Sequence, residues 1–148
     1  MNRSQKIASV TLWVNRIIAL GVLVLLFTLG AIIDWYCNFR VLEQVEQTAI
    51  TIAFYCCAVV IFWALWNMDR LLSAILRGEV FIRANVKRIR WIQLCCGLVS
   101  LICIPASFAY MPLIFLVIVM AFLCLAVGVV SCVMDAAVTI REENDLTI

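Results

Sequence analysis

Eight cysteines are the residues of this sequence best suited to covalent chemistry. Paired thiols can exchange disulfides, and thiolates can bind zinc or copper. Seven of the eight lie within long apolar stretches: Cys56, Cys57, Cys95, Cys96, Cys103, Cys124 and Cys132. Cysteines in such surroundings usually act as small apolar packing residues. The eighth, Cys37, has no obvious partner, so we predict neither a redox centre nor a metal site.

No other set of residues supports catalysis. The sequence contains no histidine, which excludes a Ser-His-Asp triad and any histidine-ligated zinc, haem or copper. It also lacks a Cys-x-x-Cys motif. A quinone-linked thiol oxidoreductase can be a four-helix membrane protein, but it needs paired cysteines that are accessible. We therefore predict that the chain is not an enzyme and binds no cofactor.

The main charged feature is a basic segment, residues 69–90, with the sequence DRLLSAILRGEVFIRANVKRIR. It has a net charge of +4, whereas the whole chain carries only +2. Apolar residues share one helical stripe as far as Leu76, and Gly78 is a typical helix stop. From Val80 a second pattern places apolar residues on one face and basic residues on another. This pattern predicts an amphipathic helical hairpin bent at Gly78, with Phe81 as an apolar plug near the bend.

The composition indicates an integral membrane protein. The chain is 67% hydrophobic and 14% charged, whereas soluble domains are about half apolar and about a quarter charged. Four segments have the roughly 20 apolar residues that a span needs: residues 17–35, 48–66, 91–110 and 112–134. We predict an all-α, integral membrane four-helix bundle. Residues 1–148 form a single transmembrane domain, with a loop at 67–90 and a tail at 135–148.

Positively charged residues near the span ends predict the orientation. The N-terminal arm contains three of them and loop 67–90 contains six, whereas the connection between the first two spans contains only Arg40. Both termini and the hairpin are therefore expected to be cytoplasmic, in a multi-pass protein of the inner membrane. In that position the hairpin also contacts anionic lipid headgroups, to which each Lys or Arg contributes about 1 kcal/mol.

Arg16 and Asp135 are charged residues expected at the membrane interface. Arg16 follows several apolar residues, so its stem can snorkel to the headgroups, or its charge can pair within the bundle. Asp135, at the matching end of the fourth span, is the predicted partner.

Small residues recur at every fourth position of two spans. Such rows favour close packing within one bundle or a homo-oligomer face. They comprise Ala49, Ala53 and Cys57 in the second span, and Cys124, Gly128, Cys132 and Ala136 in the fourth.

The C-terminal segment REENDLTI is acidic where the loop is basic, and it ends in Leu146, Thr147 and Ile148. Three alternatives remain open for it: docking on the basic segment, binding a partner, or disorder.

The stretch RGEVFIRANVKRIRWI, together with REENDLTI, resembles the bacterial multi-pass membrane family catalogued as domain of unknown function 2975. The positions that carry the resemblance are Gly78, Phe81, Asn85, Val86, Lys87, Arg88, Leu146, Thr147 and Ile148. The resemblance implies four spans but no specific biochemical activity. Members are often encoded beside a small helix-turn-helix regulator, which implies such a regulator as a cytoplasmic partner.

These observations favour a membrane-embedded regulatory or interaction subunit. Its candidate partner-binding residues are Arg77, Gly78, Phe81, Asn85, Lys87, Arg88, Leu146, Thr147 and Ile148. The alternative is a small four-span transporter, which needs an ionisable group at membrane depth. Asp34 and Asp135 are the candidate acids, and both lie at span ends. The basic loop has no nucleic-acid recognition fold, so we predict no direct nucleic-acid binding.

Overall fold

The structure, a computed structural model, describes residues 3–40 and 44–146, with all of their side chains except those of residues 3–5, 37, 40 and 109. This part of the chain contains four helices: α1 (Arg3–Arg40), α2 (Gln44–Leu76), α3 (Arg83–Ala109) and α4 (Leu113–Leu146). All four are long and apolar enough to cross a membrane, which confirms the predicted all-α membrane fold. At about 1.5 Å per residue they are about 40 to 57 Å long, so they extend beyond the roughly 30 Å of hydrocarbon.

Successive helices run antiparallel. Arg16, in the first half of α1, pairs with Asp69 near the end of α2. Arg83, at the start of α3, pairs with Glu142 near the end of α4. The short connection from α2 to α3 places all four of these helix ends at one end of the molecule. We call it the charged end, because every Lys and Arg of the sequence except Arg40 belongs to these parts of the helices or their connection.

In the described part of the chain, each helix packs on its neighbours in sequence: α1 on α2, α2 on α3, and α3 on α4. The bundle is therefore open between α1 and the α3–α4 pair. An apolar cavity of about 150 Å³ lies in this opening. Its lining comes from all four helices and includes Leu29, Cys57, Cys103 and Leu116. At the end of the molecule away from the charged end, the hydroxyls of Tyr36 and Tyr110 hydrogen-bond to each other.

The interface between α2 and α3 is built from small residues. Ala53 packs with Ala106, and the Sγ atoms of Cys57 and Cys103 are 3.6 Å apart. The predicted row of small residues on α2 therefore packs inside the bundle at Ala53 and Cys57, where it lets the two backbones approach.

The interface between α3 and α4 also uses small residues, but the predicted row on α4 is only partly correct. A Cβ at Gly128 would lie 2.7 Å from Nε2 of Gln93 on α3, so this glycine is at the contact. Cys132 is exposed, and its neighbour Ser131 is buried instead, as is Val138 two turns further along the same face. The reason is the helical repeat of 3.6 residues, which moves a strict four-residue row away from the contact.

Candidate interaction surface at the charged end

A turn at Gly78 begins the connection between α2 and α3. Gly78 has a φ of +82°, in the left-handed region that glycine adopts readily. Its backbone N–H donates to the carbonyl of Ile75 at 3.0 Å, and that of Glu79 donates to Ala74 at 3.1 Å. This pair of bonds is a Schellman motif, which satisfies the last carbonyls of a helix. The predicted stop of the second helix at Gly78 is confirmed.

The third helix begins later than predicted. The sequence pattern places its start near Val80, but Ile82 is extended and α3 begins at Arg83. The reason is the side chain of Asn85, whose Nδ2 donates to the carbonyls of Glu79 at 2.6 Å and Val80 at 3.0 Å. These bonds hold residues 79–82 outside the helix.

Asn85 and Arg88 stabilise this turn from inside. Asn85 is 0% exposed, and its Oδ1 accepts a hydrogen bond from Nη1 of Arg88 at 3.0 Å. The same Nη1 donates to the carbonyl of Arg70 on α2 at 3.2 Å. The prediction that Asn85 contacts a partner therefore needs correction. Its side chain is buried because it binds the turn, so it presents no surface to a partner.

Arg83 joins α3 to α4 through what we call the Arg83 cluster: Arg83, Asp135, Thr139 and Glu142. Its Nη1 donates to Oδ1 of Asp135 at 2.7 Å, and its Nη2 donates to Oε2 of Glu142 at 2.7 Å and to Oγ1 of Thr139 at 3.1 Å. Its Nε also donates to Oε1 of Glu142 at 3.1 Å, which makes that pair bidentate. The hydrogen bonds that Glu142 accepts from Arg83 lower the pKa of its carboxyl group. Glu142 lies two turns beyond the apolar part of α4.

The predicted pairing of Arg16 with Asp135 is wrong. Nε of Arg16 donates to Oδ1 of Asp69 at 2.9 Å instead. The neighbouring Asn15 donates through Nδ2 to the carbonyl of Leu65 at 3.1 Å. The cause is the packing order: α1 lies against α2, so its polar groups meet the end of α2, while Asp135 on α4 is reached from α3.

The acidic segment after the fourth span is helical as far as it is described. Residues 135–146 continue α4, and Glu142 docks on Arg83 of the basic segment. Of the three alternatives, docking on the basic segment agrees with this contact, and disorder does not apply up to residue 146. Leu146 is 87% exposed. Thr147 and Ile148 lie outside the described residues.

A shallow cleft of about 440 Å³ lies beside the Arg83 cluster, between the connection 77–82 and the end of α4. We call it the Phe81 cleft. It is lined by Phe81, Ala137, Ile140, Arg141, Asn144 and Asp145. Phe81 is 43% exposed and Ile140 is 63% exposed, so Phe81 is not the plug that the pattern predicts. The buried Asn85 occupies the inside of the bend, and Phe81 faces outward.

A second cleft, of about 450 Å³, lies between α3 and α4 on the side of the membrane-spanning segments. We call it the Arg90 cleft. Its lining includes Arg83, Lys87, Arg90, Trp91, Leu94 and Asp135. The Arg83 cluster therefore separates one cleft with an apolar floor from another that is lined by both basic and apolar residues.

The described residues contain no group of three Cys, Asp or Glu side chains that could hold a metal ion. Asp34 and Asp135, the acids of the transporter alternative, both have partners. Oδ1 of Asp34 accepts a hydrogen bond from Gln47 at 3.0 Å, and Asp135 binds Arg83.

The family model described as "Protein of unknown function (DUF2975)" matches residues 11–148. The chain belongs to this family. The match includes both stretches on which the resemblance rests, and so confirms it. No curated protein and no solved structure matched the chain.

For this member of the DUF2975 family, sequence reasoning included docking of the acidic segment on the basic segment, but it missed that the acidic segment docks as a continuation of α4. Asp135, Thr139 and Glu142 are spaced by four and three residues, which places them on one face of a helix. That spacing was the available signal that α4 continues past the apolar segment and presents three acceptors to α3. Ile140 and Arg141 lie on the neighbouring face, and for this reason they line the Phe81 cleft.

Proposed function

We propose that this chain is a membrane-embedded regulatory subunit whose charged end faces the cytoplasm and binds a cytoplasmic protein through the Phe81 cleft. In this proposal the chain acts by binding and carries no catalytic role. The main support for this proposal is the Phe81 cleft. There the exposed side chains of Phe81 and Ile140 line one cleft outside the apolar segments.

The distribution of charge supports the orientation. Lys and Arg are concentrated in short segments on the cytoplasmic side of membrane proteins. Here all of them except Arg40 belong to the charged end, which contains both the start of α1 and the end of α4. An even number of spans places both termini on the same side.

The composition of the Phe81 cleft supports protein binding. Partially exposed aromatic side chains are typical anchors at protein interfaces, and charged residues usually form the rim around them. Phe81 and Ile140 supply the apolar floor, and Arg141 and Asp145 supply charges of both signs. A lipid-facing surface would not be expected to hold both of these charges.

The rigidity of the surroundings also supports it. The connection that carries Phe81 is held by the Gly78 turn and by the buried Asn85. The helix that carries Ile140 is held by Arg83 and Glu142. Because both sides of the cleft are fixed before binding, a partner loses less conformational entropy on docking.

The partner that we propose is a small helix-turn-helix regulator of the Cro/repressor type, as the family resemblance implies. Binding at the charged end would hold such a regulator at the membrane. The exposed basic residues Arg77 and Lys87 would then steer an acidic face of the regulator towards the cleft.

Site-specific photo-crosslinking tests this proposal. A photo-crosslinking amino acid is placed at position 81 or 140 of the full chain, which is expressed with a helix-turn-helix regulator encoded beside it. We expect an adduct with the regulator from both positions, identified by mass spectrometry. The matched control is position 39, at the other end of the molecule, where Phe39 is 78% exposed. Adducts with the regulator from position 39 as well, or adducts only with lipid from positions 81 and 140, would contradict the proposal.

A further inference from the structure

The Arg90 cleft lies where α3 passes from the charged end into its apolar segment. Arg90 is the last basic residue of α3, and Trp91 begins the apolar stretch that follows. Lys87, the adjacent pair Arg90 and Trp91, and Leu94 follow one another about one helical turn apart and line the same cleft. The cleft therefore has basic residues at its charged end and apolar residues next to the hydrocarbon.

The basic groups in this cleft retain hydrogen-bonding capacity. The carboxylate of Asp135, the acid in the lining, is bound by Arg83 at 2.7 Å. Nη2 of Arg90 forms a longer ion pair with Oδ2 of Asp135, at 3.6 Å, which is beyond hydrogen-bond distance, and the Arg90 side chain is 61% exposed. Among the described residues, no carboxylate lies within 4 Å of the Lys87 ammonium. Glu142, on the far side of Arg83, is bound to that guanidinium.

The apolar wall of the cleft is also exposed. Trp91 is 44% exposed and Leu94 is 52% exposed, and both lie on the side of the cleft that continues into the membrane-spanning segment. Tryptophan is frequent at this depth because its ring is apolar and its indole N–H is polar. A volume of about 450 Å³ lies within the range of roughly 300–1,000 Å³ found for small-molecule sites.

We propose that the Arg90 cleft binds an anionic phospholipid, with the headgroup phosphate on Lys87 and Arg90 and an acyl chain along Trp91 and Leu94. Charge complementarity selects an anionic headgroup over a zwitterionic one. A phosphate takes hydrogen bonds from both an ammonium and a guanidinium, and the guanidinium can bind two of its oxygens at once. The continuous apolar wall selects a lipid over a soluble phosphate, because only a lipid covers Trp91 and Leu94.

Native mass spectrometry of the purified full-length protein tests this site. The protein is titrated with phosphatidylglycerol, with phosphatidylcholine of the same acyl chains, and with free glycerol phosphate. Three double variants are compared with the unmodified chain: Lys87→Gln with Arg90→Gln, the charge-keeping Lys87→Arg with Arg90→Lys, and the control Arg77→Gln with Lys6→Gln. The control removes the same charge outside the cleft. Circular dichroism checks that every variant keeps its helix content.

We expect the unmodified chain to bind phosphatidylglycerol in preference to the other two ligands. Loss of both basic residues in the cleft should weaken that binding by about thirtyfold. The control and the charge-keeping variants should stay within about twofold of the unmodified chain. An equal loss in the control, equal binding of phosphatidylcholine, or equal binding of free glycerol phosphate would overturn the proposal. No protein partner is present in the assay, so its outcome is independent of the proposed function.

Discussion

Arg83, the first residue of α3, binds three side chains of α4 at the charged end. Only a guanidinium has donors spaced to reach Asp135, Thr139 and Glu142 at the same time. A lysine at this position would offer one ammonium group and could not form the bidentate pair with Glu142. The identity of this residue therefore determines how firmly the end of α4 is held.

The first residue-scale prediction is that Arg83→Gln releases the end of α4. The variant loses the ion pairs with Asp135 and Glu142, so the backbone of residues 139–146 should exchange its amide hydrogens severalfold faster. Hydrogen–deuterium exchange with mass spectrometry on the protein in detergent measures this. Arg77→Gln removes the same charge from the neighbouring connection and should leave exchange in residues 139–146 unchanged. Equal exchange in Arg83→Gln and the unmodified chain would show that the cluster does not hold the helix.

At the scale of elements, the close contact between α3 and α4 depends on the glycine at position 128, whereas a Cβ at Gly97 would make an ordinary contact. A Cβ at Gly97 would lie 3.4 Å from Sγ of Cys124, and one at Gly128 would lie 2.7 Å from Nε2 of Gln93. The second distance is too short for a real contact. Small residues at such positions replace the hydrophobic driving force that is absent between helices in lipid.

A large side chain at Gly128 should therefore separate α3 from α4. We expect Gly128→Leu to destabilise the folded protein by about 1–3 kcal/mol, as overpacking does in protein cores. Gly128→Ala should cost less, because the atom that it meets is the end of the flexible Gln93 side chain. Thermal unfolding in detergent, followed by tryptophan fluorescence, measures the difference.

Gly21 on α1 provides the matched control, since a Cβ there would meet nothing within 4 Å. Gly21→Leu should leave the unfolding midpoint nearly unchanged. A similar loss of stability in Gly21→Leu and Gly128→Leu would point to a general effect of leucine on the helices rather than to the contact with α3.

The elements differ in how far the sequence predicts them. The length of each apolar stretch is a local property, so four membrane-spanning helices and the stop at Gly78 are predictable. The start of α3 is less so, because Asn85 binds the carbonyls of Glu79 and Val80 in competition with helical hydrogen bonds. The side chain of Asn85 can bind either the backbone or solvent. The sequence alone therefore does not decide whether the residues before it are helical or extended.

Charge pairing is harder to predict, because it depends on which helices are neighbours. Arg16 and Asp135 lie at matching depths, and nothing in their spacing distinguishes Asp135 from Asp69 as the partner of Arg16. The packing order decides between them, since α1 packs on α2. The Phe81 cleft is unpredictable for the same reason: Phe81 and Ile140 are far apart in sequence and meet only after α3 has packed on α4.

At the scale of the whole molecule, the two ends differ in charge and in polar contacts. The charged end contains the Arg83 cluster, the pair of Arg16 with Asp69, and both clefts. At the opposite end, Gln47 binds Asp34, and Tyr36 binds Tyr110. Both proposals, for a protein partner and for an anionic lipid, therefore concern the same end of the chain.

The last prediction concerns which side of the membrane that end occupies. Moving ten or so positive charges to the outer side opposes the rule that Lys and Arg remain in the cytoplasm. Green fluorescent protein fused to the C-terminus of the full chain should therefore fluoresce, because it folds in the cytoplasm. Alkaline phosphatase, which is active only outside the cytoplasm, should be active when inserted at residues 41–43 and inactive at the C-terminus. The opposite pattern of activities would place the charged end outside and remove the basis for a cytoplasmic partner, while the lipid site would remain possible in either leaflet.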